Sequence, residues 1–456
     1  MTPYDPVGSE RSAVGPRIEA FLGLCVLGGL IWVMGFLWVY GFLPQPFFYE
    51  PLDTWMDWFN TAYWAHHPGA YDTWGTIYPP LSFVILKFTT FGPCYASAEQ
   101  YPSRSCDWYG ALTLHLFFVL NIVLIAKTYL KIDRRTALPR AFALSAGLPM
   151  LFGLERGNLL ILCFSCLILA YGPLLRSARW RWFFAGCAVN LKVYMVGTLF
   201  AQLVKRRWRW FEGAGIATLG VYLGSFAIMG TGTPMQIWQN LNNFSDAIQV
   251  ASILELWYPG TYTALLALMR GDSFPILTVI GSGPVMFWSA VLPVLLWIVV
   301  ALVAMAAAAT AFRPQAVPLH RLIFLSIAFM LIRSEAGGYT EVFFMLFVFM
   351  EPWRGFGRIW SIVWCYILCI PAEIPVIWIP PAVRESFLGG GPVIVQYAVG
   401  VGSFLRPMVV LSIVTAMSLV TLREVWNQLR SEGWSSPFDF RAARRTPPLQ
   451  DKLLPE

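Results

Sequence analysis

Charge is scarce in this chain of 456 residues: Asp, Glu, Lys and Arg together make up 12%, about half of the ~25% usual in soluble domains. That shortage excludes a soluble fold of two or three domains, which would lack polar side chains to cover its surface. Histidine is scarcer still, at four residues, and no cluster of His or carboxylate offers a convincing metal site. No P-loop, zincin motif, hydrolase triad or nucleotide fingerprint is present. A cytoplasmic nucleotide-sugar site ordinarily comes with a soluble domain, and the sequence leaves no room for one. No internal repeat or low-complexity segment stands out, which weighs against an inverted-repeat transporter.

What the chain has in excess is apolar and aromatic surface. Hydrophobic residues reach 57% and aromatics 16%, with 21 Trp and 34 Phe, a composition suited to lipid and its interfaces. The sequence predicts an all-α polytopic membrane protein. Segments free of Asp, Glu, Lys and Arg include 20–49, 108–126, 157–175, 213–245, 273–312 and 407–422, and several reach the ~20 residues a crossing needs. The first is too long for a signal-peptide core and has no small-residue cleavage site, so it reads as a span. Shorter apolar stretches lie at 140–154, 182–204, 322–332, 342–350 and 359–380, for about 10–13 transmembrane or partial spans in all.

The formal charge of +7 reads as cytoplasmic loops and not as a nucleic-acid surface. Placing the basic clusters around Arg134, Arg179, Arg206, Arg321 and Arg358 inside, with the C-terminal tail and Arg11, Arg17 and Lys127, puts 24 of the 32 basic residues in the cytoplasm. Both termini are then cytoplasmic. Basic clusters flank 182–204 on both sides, so this stretch is predicted to be a broken hairpin with its tip near 190–192. Segment 78–91 reads as a half-span dipping back from the outer face. A single integral domain over 1–423 is expected, followed by a polar, mobile tail at 424–456. Outer loops fall at 43–107, 231–284 and 381–404, the first with short interfacial helices. Cys94 and Cys106 flank part of that first loop and could pair in an oxidising compartment, or stay as two free thiols. Cys163/Cys166 and Cys365/Cys369 read as packing residues within spans.

An ionisable residue at membrane depth costs ~2.5–3.5 kcal/mol or more, so each is a functional candidate. Five patches on the outer side qualify. Asp53 and Asp57 share a helix face if 53–57 is helical, and a carboxylate there can act as general base toward a hydroxyl. His66 and Tyr78 follow in the same loop. Glu155, Arg156 and Asn158 surround a glycine turn between two apolar stretches, where Arg156 could meet an anion. Lys192 is a lone cation at the hairpin tip, where a phosphate is an obvious partner. Arg333, Glu335, Tyr339 and Glu341 surround an outer turn with two glycines. Asp246, Glu255, Trp257 and Tyr258 form a less specific aromatic and acidic set.

Taken in order, the Asp-bearing outer loop, Tyr78-Pro79-Pro80-Leu81, the Gly157-Asn158 turn and the Ala188–Lys192 hairpin resemble glycosyltransferase family 87. The matching blocks run over about 50–210, and the C-terminal half agrees only in layout. The resemblance implies a GT-C fold and an enzyme of the outer face of the membrane, and the lack of organellar signals with compact outer loops suits a bacterial inner (plasma) membrane, whose outer face is periplasmic. Such an enzyme takes a polyprenyl-phosphate-linked sugar donor, as do related mannosyltransferases that build phosphatidylinositol mannosides. It implies Asp57 as catalytic base, with Asp53 the alternate, and Arg156, Lys192 and Arg333 as candidates for the donor phosphate. His66, Tyr78, Glu155, Asn158, Glu335, Tyr339 and Glu341 are then substrate-binding candidates. No metal and no cofactor is required, and the acceptor is a lipid or glycan. Two departures stand out: Glu155-Arg156 where many members have Gly-Gln, and Tyr339 and Glu341 where some carry His. A transporter or flippase, and a polysaccharide ligase or polymerase, are the alternatives.

Overall fold

The computed structural model describes residues 14–96, 100–247, 258–269, 281–334 and 336–432. Its helices run α1 Val14–Tyr40, α2 Met56–His66, α3 Pro80–Thr89, α4 Gln100–Cys106, α5 Trp108–Ile132, α6 Ala137–Ala146, α7 Leu148–Arg156, α8 Leu160–Tyr171 and α9 Ala178–Leu191. They continue as α10 Gly197–Val204, α11 Trp208–Met229, α12 Pro234–Ala247, α13 Thr263–Met269, α14 Ser282–Phe312, α15 Leu319–Leu331, α16 Glu341–Val348, α17 Phe356–Cys369 and α18 Gly402–Glu432. Among the described residues, six stretches are helical, long and apolar enough to cross a membrane: α1, α5, the α6–α7 pair, α11, α14 and α18. The protein is therefore a mostly helical, multi-pass membrane protein. α18 runs to Glu432, past the tail boundary expected at 423.

The long helices and the short ones divide the work of burial. α1, α11 and α14 leave Trp38, Ile216 and Val294 among many apolar side chains exposed, as lipid-facing spans do. α8 and α16 are apolar all round and buried on almost every face, which marks them as the centre of the bundle. At 1.5 Å per residue α16 is only about 12 Å long, too short to cross ~30 Å of hydrocarbon. It folds back on α15, since Arg321 near the start of α15 bonds Glu351 just past the end of α16. α6 and α7 are one span broken at Gly147, where Pro149 begins the second half. A side chain at Gly147 would overlap the carbonyl of Ala143 and the side chain of Cys369.

The break expected near 190–192 is present: α9 ends at Leu191, Lys192 is extended, and a 3-10 turn at Val193–Val196 leads into α10. Asn190 holds the break by donating from Nδ2 to the carbonyls of Gly186 and Thr218, at 2.9 and 3.0 Å. Gly186 lets α9 approach α11 at Ala217 and Thr218, the close contact that small residues permit between membrane helices.

The 381–404 region adds a small amount of sheet to this mostly helical fold. It contributes to two antiparallel ribbons, β1 Pro375–Trp378 with β4 Ala398–Gly400, and β2 Ala382–Ser386 with β3 Gly391–Val395. Val383, Val393, Ile394 and Val395 flank a glycine turn at 389–391, a hairpin composition. Phe387 N–H reaches the Pro51 carbonyl at 3.4 Å and Ser386 Oγ the Gly41 carbonyl at 2.5 Å. The hairpin thus docks on the loop that carries Asp53 and Asp57.

A polar knot closes the Val14 end of the bundle. Glu19 is fully buried and takes two 2.6 Å bonds from Arg140 and one of 3.0 Å from the Tyr366 hydroxyl. Glu351, also buried, is gripped by Arg321 at 2.7 and 2.8 Å, Arg358 at 3.0 Å and His320 at 2.9 Å. Glu424 of α18 pairs with Arg321 and Arg358. Arg140, Arg321 and Arg358, expected as loop cations, are instead tied into ion pairs that join α1, α6, α15, α17 and α18.

Candidate functional site

The candidate site lies at the Tyr40 end, opposite that knot. Its backbone frame is a contact between two left-handed residues. Gly157 caps α7 with φ +66, and a side chain there would come within 2.8 Å of the Trp55 backbone. Trp55 itself sits at φ +65 just before α2, a conformation costing a non-glycine residue roughly 1–2 kcal/mol. A 2.7 Å bond from Trp55 N–H to the Glu155 carbonyl holds it there. Its indole packs edge-on against His115 and Phe387, at 4.8 and 5.2 Å. The strain fixes where α2 begins, and so where Asp57 points.

Asp57 stands in the first turn of α2. Arg156 Nη2 donates to its Oδ1 at 2.8 Å and Asn158 Nδ2 to its Oδ2 at 2.7 Å. The carboxylate is oriented at both oxygens yet remains 24% exposed, so a substrate can still reach it. Each oxygen keeps a lone pair that can receive a proton. Asp53 is not beside it on one helix face. It ends a separate 3-10 turn at Pro51–Asp53, accepts a 2.7 Å bond from the Tyr101 hydroxyl, and lies 3.8 Å from Arg156 Nη1. Burial and Asp53 together push the Tyr101 phenol up to about 12.

Tyr78 links this carboxylate to the hairpin tip. Its phenol is within hydrogen-bonding influence of Asn158 and feels the charges of Asp57 and Arg156. Burial, with Asp57 adding to it, pushes that phenol well above its usual range, so it stays a donor. Lys192 Nζ lies 3.4 Å from the Tyr78 hydroxyl and 4.6 Å from the ring centre. Among the described residues no carboxylate pairs with Lys192. Tyr339 completes the group, within electrostatic reach of Lys192, Asp57, Tyr78 and Arg156, and stacks on Phe152. Buried polar atoms without a hydrogen-bond partner gather here: Arg156 Nη1, Glu155 Oε2 and the Tyr194 hydroxyl.

Several expected members are placed elsewhere. His66 is at the far end of α2, stacked on Tyr95 and bonded to Thr90 Oγ1 at 2.9 Å. Burial, with Lys87 adding, lowers its pKa and favours the neutral ring. Arg333 is exposed and lies over the Trp297 ring at 4.0 Å, away from the cluster. Glu341 is buried one layer behind Tyr339, taking a 3.3 Å bond from the Tyr258 hydroxyl. Glu335, Glu255 and Trp257 lie outside the described residues, as does the side chain of Asp246.

Other residues that build the site were not singled out from the sequence. Phe48 lies under the Arg156 guanidinium at 3.9 Å. Arg104 donates to the Leu52 and Thr54 carbonyls at 2.5 and 2.7 Å and stacks on Phe387 at 3.8 Å, pinning the loop before α2. Burial lowers its pKa to about 10, which leaves it charged at neutral pH. Asp107 caps α5 and accepts from Gly110 N–H, Phe91 N–H and the Tyr95 hydroxyl. Cys94 and Cys106 are joined as a disulfide, which ties α4 to the turn at Gly92–Tyr95. Arg104 and Asp107 were legible only as charges in a loop poor in them.

No protein-family model, curated protein or solved structure matches this chain.

Proposed function

We propose that the protein is a membrane glycosyltransferase of the family 87 type. It moves one sugar, mannose or another hexose or pentose, from a polyprenyl-phosphate donor to a lipid or glycan acceptor. The Tyr40 end then faces the periplasm of a bacterial inner membrane. The observation that carries this proposal is a single cluster holding an oriented, partly exposed carboxylate, Asp57, and a cation, Lys192, with no acidic partner among the described residues, joined through Tyr78.

The chemistry needs those two functions and little else. Asp57 takes the proton from the acceptor hydroxyl as its oxygen forms the new bond to the anomeric carbon. The bond from that carbon to the phosphate oxygen breaks, and its electron pair leaves on the polyprenyl phosphate. The configuration at the anomeric carbon inverts. The leaving phosphate is already acidic, so it needs donors and cations rather than a proton. Lys192, the Tyr78 hydroxyl and Nη1 of Arg156, which makes no hydrogen bond among the described residues, supply them. Arg156 Nη2 and Asn158 keep Asp57 aimed throughout. Asp53, held by Tyr101, is the alternate base.

The test offers the purified protein a panel of radiolabelled polyprenyl-phosphate hexoses and pentoses with a membrane-lipid extract. Label moving to a new lipid or glycan, and lost in Asp57→Asn, is the expected result. Turnover of a diphosphate-linked oligosaccharide alone would instead point to a ligase or polymerase. Flux across proteoliposomes without covalent product would point to a transporter.

A further inference from the structure

The Val14 end of the bundle carries an open groove of about 710 Å³ between α5 and α8. Leu124 and Leu130 of α5, Leu169 of α8 and Leu174 form its apolar walls, and Lys127, Lys131 and Arg134 its charged rim. Lys127 and Lys131, four residues apart, share one face of α5, and Arg134 follows just past its end at the groove rim. Lys131 Nζ donates to the Pro173 carbonyl at 3.3 Å, which holds it at the rim beside Leu174. Among the described residues none of the three cations has an acidic partner. The adjacent Asp133 is occupied, since its oxygens accept from Arg135 N–H and Thr136 Oγ1.

Depth decides what this groove can hold. α5 begins at Trp108, at the site end, and at 1.5 Å per residue Lys127 lies about 30 Å along it. That is one hydrocarbon thickness. The cations therefore sit at headgroup level of the leaflet opposite the Asp57 cluster, with Leu124 and Leu169 at acyl-chain level. A basic rim over an apolar trough is complementary to an anionic phospholipid, phosphate above and chain below.

We propose that the α5–α8 groove is a binding site for one anionic glycerophospholipid, its phosphate held by Lys127, Lys131 and Arg134 and one acyl chain lying along Leu124 and Leu169. The proposal does not depend on the reaction proposed for the other end.

The test uses the full chain in detergent, with native mass spectrometry to count retained phosphatidylglycerol against phosphatidylcholine of the same chains. Wild type is expected to prefer the anionic lipid by about tenfold or more. Lys127→Gln/Lys131→Gln/Arg134→Gln should erase the preference. Arg423→Gln/Arg430→Gln, which removes exposed cations from α18 at the same end, should keep it. Should the triple variant not fold, Leu169→Trp fills the trough and is expected to reduce retention of both lipids. An undiminished preference in the triple variant, or unchanged retention in Leu169→Trp, would overturn the site. So would an equal loss in the α18 variant, which would mean diffuse charge, or displacement of the lipid by millimolar inorganic phosphate, which would mean a free-anion site.

Discussion

The two ends of the bundle use the same residue types to opposite effect. In the buried knot at the Val14 end, arginines and glutamates are closely bonded: Arg140 satisfies Glu19, and Arg321, Arg358 and His320 surround Glu351. Burial is nearly complete, with Arg140 at 3% and Arg321 at 1% exposure. At the Tyr40 end, Asp57 is exposed enough to be reached, and among the described residues Lys192 has no acidic partner and Arg156 Nη1 and Glu155 Oε2 lack hydrogen-bond partners. A polar network with every member satisfied rigidifies a fold, whereas one left incomplete at an accessible cluster is poised for something to complete it. The difference separates charges that hold helices together from charges that await a substrate.

That contrast can be broken or sharpened by substitution. The largest expected effect is on transfer by Asp57→Asn, a loss of about 10²–10⁴-fold, with a thermal midpoint close to wild type. Radiolabel transfer and a melting curve on one preparation check both halves. Next comes Arg140→Met, which strands the buried Glu19 carboxylate and should cost about 3–5 kcal/mol, read as a lowered midpoint in detergent. Lys192→Gln follows, lowering transfer by about 10²-fold while leaving the midpoint unchanged. An equal fall in stability would mean Lys192 belongs with the structural charges.

A smaller effect is expected from pH at the Val14 end. Burial alone would raise Glu351, but His320 and Arg321 outweigh it and hold this loop carboxylate below its usual 4.5. A depressed folded value means the stabilisation is present above pH 4.5 and is lost as pH falls through the folded value. The midpoint should therefore fall on acidification below pH 4.5, with a shallower slope in Glu351→Gln. The smallest effect is predicted for Arg333→Gln, less than about threefold on transfer, since its guanidinium rests on Trp297 outside the cluster.

Much of the membrane architecture was legible because hydrocarbon imposes a length and a composition on each crossing. The break at Lys192 was legible too, from basic residues flanking a stretch that could not cross once. The ribbons at β1–β4 were not: a loop rich in glycine and proline hides short strands whose pairing depends on docking against Pro51 and Gly41. In the candidate site, Asp57, Arg156, Asn158, Lys192 and Tyr339 were legible as polar residues beside apolar stretches and Tyr78 through its Tyr-Pro-Pro-Leu motif, and the fold brings them together. The same rule overreached at Arg333 and His66, because sequence gives depth along a span but not direction around it. It could not separate the Val14-end arginines from loop cations either, since the acids that neutralise Arg140 and Arg321 lie far away in sequence.

The contrast between the ends is tested most directly by measuring sugar transfer and thermal midpoint side by side for Asp57→Asn and Arg140→Met. The expected result is a crossing pattern: Asp57→Asn loses about 10²–10⁴-fold in transfer and keeps its midpoint, while Arg140→Met loses stability and, where folded, still transfers. Asp57→Asn and Asp53→Asn proteins that both transfer like wild type would contradict the assignment of the Tyr40 end as the reacting site.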